Sequence, residues 1–324
     1  MKAITTRRYG SPAVLQTEEV PDPVPKDDEL LIKVHAVSLN QANLVLLKGK
    51  PFLARFAYGL WKPKHIIPGS DISGVVKAVG KQVKRFKPGD EVYADLSNYG
   101  FGTLAEYASV PEEALALKPA KLSHPQAAAV PLASLTALQA LRDAVRLQPG
   151  HRIMIYGSSG GVGTFAVQIA KAFGATVTAV CSKKHKENMK LLGADYILDY
   201  EITDLTKYYG SFDAIVAING YQPLATYKKL LNKNGVYMMV GGSVAQMFEA
   251  MLLGPILTLA SSKKLGNFLK KHNTGDLAEL TNLIEEDKVR PLVDRVYPFQ
   301  ACKEAFTYLD QHHAYGKVII TIPN

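Results

Sequence analysis

Three glycines at three-residue spacing, Gly157, Gly160 and Gly163, lie between a short apolar run (Ile153, Met154, Ile155) and a periodic apolar stretch ending near Phe173. A diphosphate needs this spacing. The first glycine permits a tight turn, the second lets backbone approach the phosphate closely, and the third lets a helix pack on the strand it leaves. Ser158, Ser159, Gly161 and Val162 complete a loop into which no bulky side chain intrudes, and the helix beyond it aims its partial positive end at the anion. Val162, Ala166, Ile169, Ala170 and Phe173 fall on one face at helical period, and Gly174 stops the helix. The plainer reading is a glycine-rich helix entry that binds nothing.

The next signal is a missing carboxylate. A site for NAD places Asp or Glu at the end of the second strand, about twenty residues after the glycine loop. Here that place holds Cys181 and Ser182, followed by Lys183, Lys184, His185 and Lys186. Cations at a helix start are unfavourable by roughly 0.3 to 1 kcal/mol each. A 2′-phosphate relieves this: Ser182 can donate to it, and Lys183 or Lys184 can pair with it. The expected cofactor is therefore NADPH. A run of solvated surface lysines explains the charge equally, but not its position at this strand end.

These residues need a frame to hold them. After Gly174 come a strand (Thr176 to Val180), a helix around Lys186 to Leu192 and a third strand (Tyr196 to Leu198), followed by the apolar runs FDAIVAI and GVYMMVGG. That alternation predicts an α/β Rossmann domain, a doubly wound parallel sheet. From Met1 to about Pro119 the chain has short β-like runs separated by Pro and Gly, one helical patch after Asn40, and a strand alternating Leu31, Lys33, His35, which predicts a compact β domain. A helical region from His124 to Leu141 leads into the glycine loop, Asp276 to Glu286 and Ala301 to Leu309 have amphipathic spacing, and GKVIITI reads as a closing strand. The aromatic stretch from Phe52 to Pro68, with the only tryptophan, Trp61, reads either as a packed surface loop or as a wall of the substrate pocket.

Composition narrows the setting. A chain of 324 residues, 47% hydrophobic, normally forms two domains with their own cores. Two cysteines, Cys181 and Cys302, exclude a disulfide framework and a four-cysteine zinc lobe, so a cytoplasmic, reducing setting is expected. No signal peptide or membrane span is expected, and no membrane partner. The net charge of +9 is compatible with nucleic acid, an anionic membrane surface or an anionic cofactor. Its lysines are dispersed and lack an arginine-rich arm, so a nucleic-acid role ranks low.

VSLN, IPGSDISGVVKAVG, FKPGDEVYAD, LAEYASVP, AAAVPLASLTALQAL, GSSGGVG, LGADYILDY and GKVIIT together resemble the zinc-free quinone oxidoreductases of the medium-chain dehydrogenase/reductase superfamily, over nearly the whole chain. The resemblance implies a GroES-like β domain from both chain ends (residues 1–119 and 274–324), a Rossmann NADP-binding domain (120–273), and a cleft at their junction. It also implies a homodimer in which KKLGNFLKK pairs with its copy across a two-fold axis. Cofactor contacts implied by it are Thr136 near the nicotinamide ribose, Tyr200 over the adenosine phosphate, Asn219 in AING where DxxG is usual, and Gly241, Gly242 and Lys317.

The same resemblance implies where zinc-dependent relatives hold catalytic metal, and those positions are Asn40, Gly69-Ser70-Asp71 and about Ser134 here. None is cysteine or histidine. His312 and His313 are adjacent in sequence and offer no alternative set, so no zinc is expected. Without a Lewis acid, alcohol oxidation gives way to hydride transfer onto a quinone or an α,β-unsaturated carbonyl, whose conjugation spreads the developing charge. Asn40 is the candidate to orient the substrate carbonyl, with helix capping as its other reading. Tyr58 is a weak substitute for the tyrosine some relatives carry after this point, which leaves solvent as a proton source. Two alternatives remain: an enoyl-thioester or alkenal reductase with a specific metabolic substrate, and a non-catalytic cofactor-binding protein whose basic surface serves RNA or protein partners.

Overall fold

The computed structural model describes residues 1–259, 261–271, 273–311 and 314–323. Its contacts divide into two compact units: Met1–Ala133 with His272–Glu285 and Pro291–Asn324, and Ser134–Lys271 with Glu286–Arg290. In chain order the first unit supplies β1 (Lys2–Thr5), β2 (Gln16–Glu19), β3 (Glu29–Leu39), β4 (Asp71–Val79), β5 (Glu91–Asp95), β6 (Tyr107–Pro111) and β7 (Leu115–Leu117). The second supplies β8 (Arg152–Tyr156), β9 (Thr176–Cys181), β10 (Tyr196–Asp199), β11 (Phe212–Ala217), β12 (Leu231–Met239) and β13 (Lys264–Asn267). The first unit then adds β14 (Val293–Pro298) and β15 (Lys317–Thr321).

The first unit is organised on β3. Its hydrogen-bonded sheet runs β14-β15-β3-β4-β5-β7, with β6 also paired to β3, and only the β14–β15 pair is parallel. Leu30, Ile32 and Val34 point into the core while Leu31, Lys33 and His35 are half-buried, the period-two pattern of a strand with one covered face. The alternation fails from Ala36 to Leu39, where every residue is buried; the β3–β4 register shifts between Val34 and Ala36, and both faces are then covered. Phe306 and Leu309, from the helix Cys302–Gln311, close the same core. Ala128 and Ala129 pack with Ala36 and Ile319, which ties the start of the helical region to this unit.

The second unit is a six-stranded parallel sheet in the order β10-β9-β8-β11-β12-β13, so the chain winds outward from β8 in both directions. That is the order of a doubly wound dinucleotide fold, with its crevice where β8 meets its two neighbours. The helix after β8 spans Gly161–Ala172 and is more enclosed than its single apolar face suggests: Gly163 to Ala170 are buried without a break. Its small residues allow this, and Gln168 fills a polar gap by exchanging two hydrogen bonds with the backbone of Arg290 (2.9 and 3.0 Å). KKLGNFLKK, polar and interrupted by glycine, does contain the last strand: β13 lies parallel to β12 with Leu265 buried, at the sheet's outer edge. Among the described residues no helix is long and apolar enough to cross a membrane.

Candidate functional site

In the second unit the strand ends lie level. Tyr156 of β8 is opposite Val180 of β9 and Ala217 of β11, Val180 is opposite Leu198 of β10, and Ala217 is opposite Met239 of β12. The glycine loop leaves from this edge. Gly157 has φ +82°, and a Cβ there would come within 2.6 Å of the Asn219 backbone. A Cβ on Gly163 would overlap the Gly157 carbonyl. Gly157 and Gly163 are thus required by the fold itself.

Gly160 differs. Its backbone is extended (φ −80°, ψ 177°), and the nearest atom to an added Cβ is 3.8 Å away, so the fold leaves open the space a side chain would fill. An open cradle at the N-terminus of a twelve-residue helix fits a diphosphate. Ser158 is buried and donates to Val180 O (3.0 Å), which anchors the loop to β9, while Ser159, Gly161 and Val162 are half-buried.

Several of the candidates stand along this edge of the sheet, and Thr136 lies on a helix of its own. Ser182 is half-buried just beyond β9, and Lys183 and Lys184 stand exposed on a short 3-10 turn. The Asp199–Cys181 register sets Tyr200 beside Ser182, with the Tyr200 amide directed at Cys181 O (3.4 Å). Tyr200 is half exposed on that edge. Asn219 is exposed beyond β11, where its side-chain oxygen accepts from the Gly220 amide (2.9 Å). Gly241 passes so close to Ile218 O that a Cβ would sit at 2.5 Å, and Gly242 has φ +125°. Thr136 is half-buried on the helix Pro131–Gln139, which also carries the buried Ser134.

The remaining candidates belong to the first unit. Asn40 precedes the helix Gln41–Lys48, where the Asn43 side chain caps the turn by accepting from the Asn40 amide (2.7 Å). The Asn40 side chain is engaged elsewhere. Its Nδ2 donates to Asp71 Oδ2 (2.9 Å) and Ser70 Oγ (3.3 Å), and its Oδ1 accepts from Lys317 Nζ. Orienting a substrate carbonyl through Nδ2 would therefore displace the longer bond, to Ser70. Asp71 is fully buried, accepts from the Leu132 amide (2.9 Å) and lies 3.5 Å from Lys317 Nζ.

Burial pushes the Asp71 carboxyl up to about 6 against the pull of the Lys317 charge, with Asp95 adding to the rise, and burial likewise lowers the Lys317 ammonium. Lys317, a cofactor candidate, is only 2% exposed and spends its charge on this pair. The sequence held only a weak hint of the cluster: a lysine opening an otherwise apolar strand and an acid inside an apolar run. Tyr58 packs edge-on against Phe101 (5.9 Å between centroids) and lines a small, mostly apolar pocket with His65, Pro63, Ile67 and Leu47.

A second, half-buried arrangement has no local signal in the sequence. His35 and His124 stack (centroids 4.4 Å), His124 Nδ1 lies 2.9 Å from Ser73 Oγ, and its Nε2 lies 3.1 Å from Glu91. Ser73 is fully buried and also donates to Val92 O, so this chain of contacts braces strands and offers no accessible nucleophile. Among the described residues no group of three or more His, Cys, Asp or Glu is placed to hold a metal. His312 and His313 lie outside the described residues.

Residues 26–120 match the alcohol dehydrogenase GroES-like domain, and residues 192–320 match a family described as zinc-binding dehydrogenase. The chain is 35% identical over 333 residues to the chloroplast envelope quinone oxidoreductase homolog of Arabidopsis thaliana, covering 99% of this chain and 98% of that protein. It is 36% identical over 335 residues to the NADPH-dependent alkenal/one oxidoreductase of Arabidopsis thaliana chloroplasts, covering 99% of this chain and 79% of that one. Its fold matches the quinone oxidoreductase from Coxiella burnetii with a TM-score of 0.88, at 29% identity over 100% of this chain and 99% of that one.

Proposed function

The chain belongs to the medium-chain dehydrogenase/reductase superfamily, among its quinone oxidoreductase-like NAD(P)H-dependent oxidoreductases, and on that premise we propose that it transfers hydride from NADPH to quinones or α,β-unsaturated carbonyl compounds without zinc. The observation that carries the cofactor choice is the end of β9. Ser182, Lys183 and Lys184 stand there without a carboxylate, and Tyr200 is brought alongside by strand register. A 2′-phosphate would receive a hydroxyl donor, one or two cations and an aromatic cover, whereas NADH would meet no carboxylate for its ribose hydroxyls.

The diphosphate would rest on Gly160, Gly161 and the helix N-terminus, with Asn219, Gly241, Gly242 and Thr136 as the candidate contacts toward the nicotinamide end. Bound NADPH supplies the hydride. The chain's own part is to fix the reacting atoms in line and to hold donors where negative charge develops. The donor set favours conjugated substrates: Asn40, Ser70 and Asp71 provide an amide, a hydroxyl and an ammonium-paired carboxylate in place of soft metal ligands. Such groups donate or accept hydrogen bonds but cannot polarise an unactivated alcohol as a metal does.

The test is direct. NADPH oxidation by a simple benzoquinone and by a panel of enals is expected, with NADH at least about ten-fold poorer. Lys183→Ala with Lys184→Ala should weaken NADPH while leaving NADH nearly unchanged, because only the extra phosphate meets these lysines. Equal losses for both cofactors would show that the phosphate is bound elsewhere. An alkenal substrate is the favoured second reading, since a relative carries that activity in its name.

We also place the protein in solution as a homodimer. Among the described residues β13 is an unpaired sheet edge, and Phe248, Leu252, Ile256 and Leu259 expose an apolar helical stripe in the same unit, two surfaces a second copy can cover together. A monomer in light scattering at micromolar concentration would overturn this. Its two cysteines are free and buried, which suits a reducing setting.

A further inference from the structure

Between Leu30 and Ser70 the chain contains no Asp or Glu, while Lys33, Lys48, Lys50, Arg55, Lys62 and Lys64 fall inside that stretch. Its outer part, residues 50–66, presents large apolar side chains to solvent: Trp61 is 87% exposed, Phe56 69%, Phe52 59% and Leu53 56%. These do not come from a segment that has missed its core. Its inner face is fastened: the Arg55 guanidinium lies 4.4 Å from the centroid of the Tyr9 ring, Arg55 Nε donates to Gly49 O (3.0 Å), the Tyr9 hydroxyl donates to Gly59 O, and Tyr58 and Pro63 line the pocket beneath. The exposed side chains are held outward by a braced scaffold.

The charges on this tip are of one sign. Lys48 is taken by Asp310, but Lys50, Lys62 and Lys64 are exposed and make no ion pair among the described residues. A protein partner of ordinary composition would answer such a tip with both apolar and acidic groups. A bilayer interface answers it completely, because indole and phenyl rings settle at headgroup depth and lysines pair with anionic headgroups. We propose that residues 50–66 dock the first unit on an anionic membrane surface, with Phe52, Phe56 and Trp61 entering the interface and Lys50, Lys62 and Lys64 facing the headgroups. The expectation of no membrane partner rested on the lack of a spanning segment, and an interfacial tip needs none. This goes beyond the NADPH reading, and its test requires no turnover, so the two stand or fall separately.

Trp61 is the only tryptophan and so reports on the tip alone. The full chain is mixed at low salt with phosphatidylcholine vesicles and with vesicles in which roughly a quarter of the lipid is phosphatidylserine. Expected are co-sedimentation with the anionic vesicles only, a blue shift of Trp61 emission, and its quenching by lipids brominated on the acyl chain. Lys50→Glu, Lys62→Glu and Lys64→Glu together should weaken binding at least about ten-fold. Phe52→Ser with Phe56→Ser should do the same while Trp61 still reports, with circular dichroism confirming the fold of both variants. The proposal is overturned if the wild type stays in the supernatant with unshifted emission. It is also overturned if neutral vesicles or the triple-Glu variant bind as well, or if the emission shifts without lipid as the protein self-associates, which would give the tip to a second copy.

Discussion

Lys317→Met should be among the most damaging single substitutions in the first unit, for reasons that can be worked from distances. It removes an ammonium that lies 3.5 Å from Asp71 Oδ2 and also holds Asn40 Oδ1. Asp71 is then a fully buried carboxylate left with two hydrogen bonds, from Asn40 Nδ2 and the Leu132 amide, both 2.9 Å. Stranding one member of a buried pair costs about 3 to 5 kcal/mol. In a domain of this size that lowers Tm by roughly 6 to 20 °C. Lys317→Met with Asp71→Asn removes both charges and should restore most of the loss, a coupling on the order of 2 kcal/mol or more.

pH gives an independent check on the same pair. Burial raises the folded Asp71 pKa from 3.8 to about 6, so its contribution is present below the unfolded value and lost as pH rises through the folded one. Removing Lys317 takes away the group that holds this pKa down, so the deficit of Lys317→Met should be widest near pH 8 and should shrink as pH falls toward 5. Thermal unfolding of the four proteins across that range measures both quantities, with hydrogen exchange over β3 and β15 locating the change. A deficit that does not vary with pH, or a double variant whose loss is the sum of the two singles, would refute the pairing.

Gly160→Ala should leave stability within about 0.5 kcal/mol, since the added methyl meets nothing closer than 3.8 Å, yet raise the KM for NADPH by blocking the diphosphate; Gly163→Ala should fail in stability first. Thermal melts and steady-state kinetics on the pair separate a glycine needed by ligand from one needed by fold. Burial, with Lys33 beside His35 and with His35 beside His124, lowers both stacked histidines below 6.5, so their contribution is present above that value and lost as pH falls through the folded pKa values. His35→Gln with His124→Gln should flatten the loss of Tm from pH 6.5 downward relative to wild type, and an unchanged slope would show that the pair does not titrate there. Elemental analysis of protein purified without added metal should find no stoichiometric zinc; one zinc per chain would overturn the zinc-free reading.

Much of the second unit was legible because its signals are local. The glycine spacing, the strand and helix alternation and the missing carboxylate after β9 are each read within a few residues, and the sheet order follows from the winding that such alternation imposes. Even β13 could be located, though its lysines and Gly266 argue against a strand, because β12 supplies the pairing that propensity does not. Periodicity marks one buried face of the helix Gly161–Ala172 where eight consecutive residues, Gly163 to Ala170, are buried, since it records which residues are apolar and not how many neighbours surround them. The first unit's polar clusters were opaque for a different reason. Asn40, just past the end of β3, and Asp71 and Lys317, which open β4 and β15, are far apart in sequence and meet because β3 pairs with both β4 and β15.

That meeting bears on the chemistry. The match to a family described as zinc-binding dehydrogenase covers residues 192–320, a stretch that includes Lys317 but neither Asn40 nor Asp71. The resemblance puts Asn40 and the Gly69-Ser70-Asp71 segment where zinc-dependent relatives hold metal, and Lys317 brings a unit positive charge to Asn40 and Asp71 through the chain itself. An ammonium differs from a metal in a way that selects substrates. It satisfies Asp71 and fixes which way the Asn40 amide faces, but it offers no empty orbital to a substrate oxygen, so it cannot make an alcohol acidic. On the zinc-free function proposed above, the substrates within reach would be those that carry their own electron sink, as quinones and enones do. Positioning and hydrogen-bond donors then supply what the reaction needs. Arg in place of Lys317 would keep the charge yet demand room for a planar fork in a site that is 2% exposed, so retention of charge alone should not restore the amide's orientation.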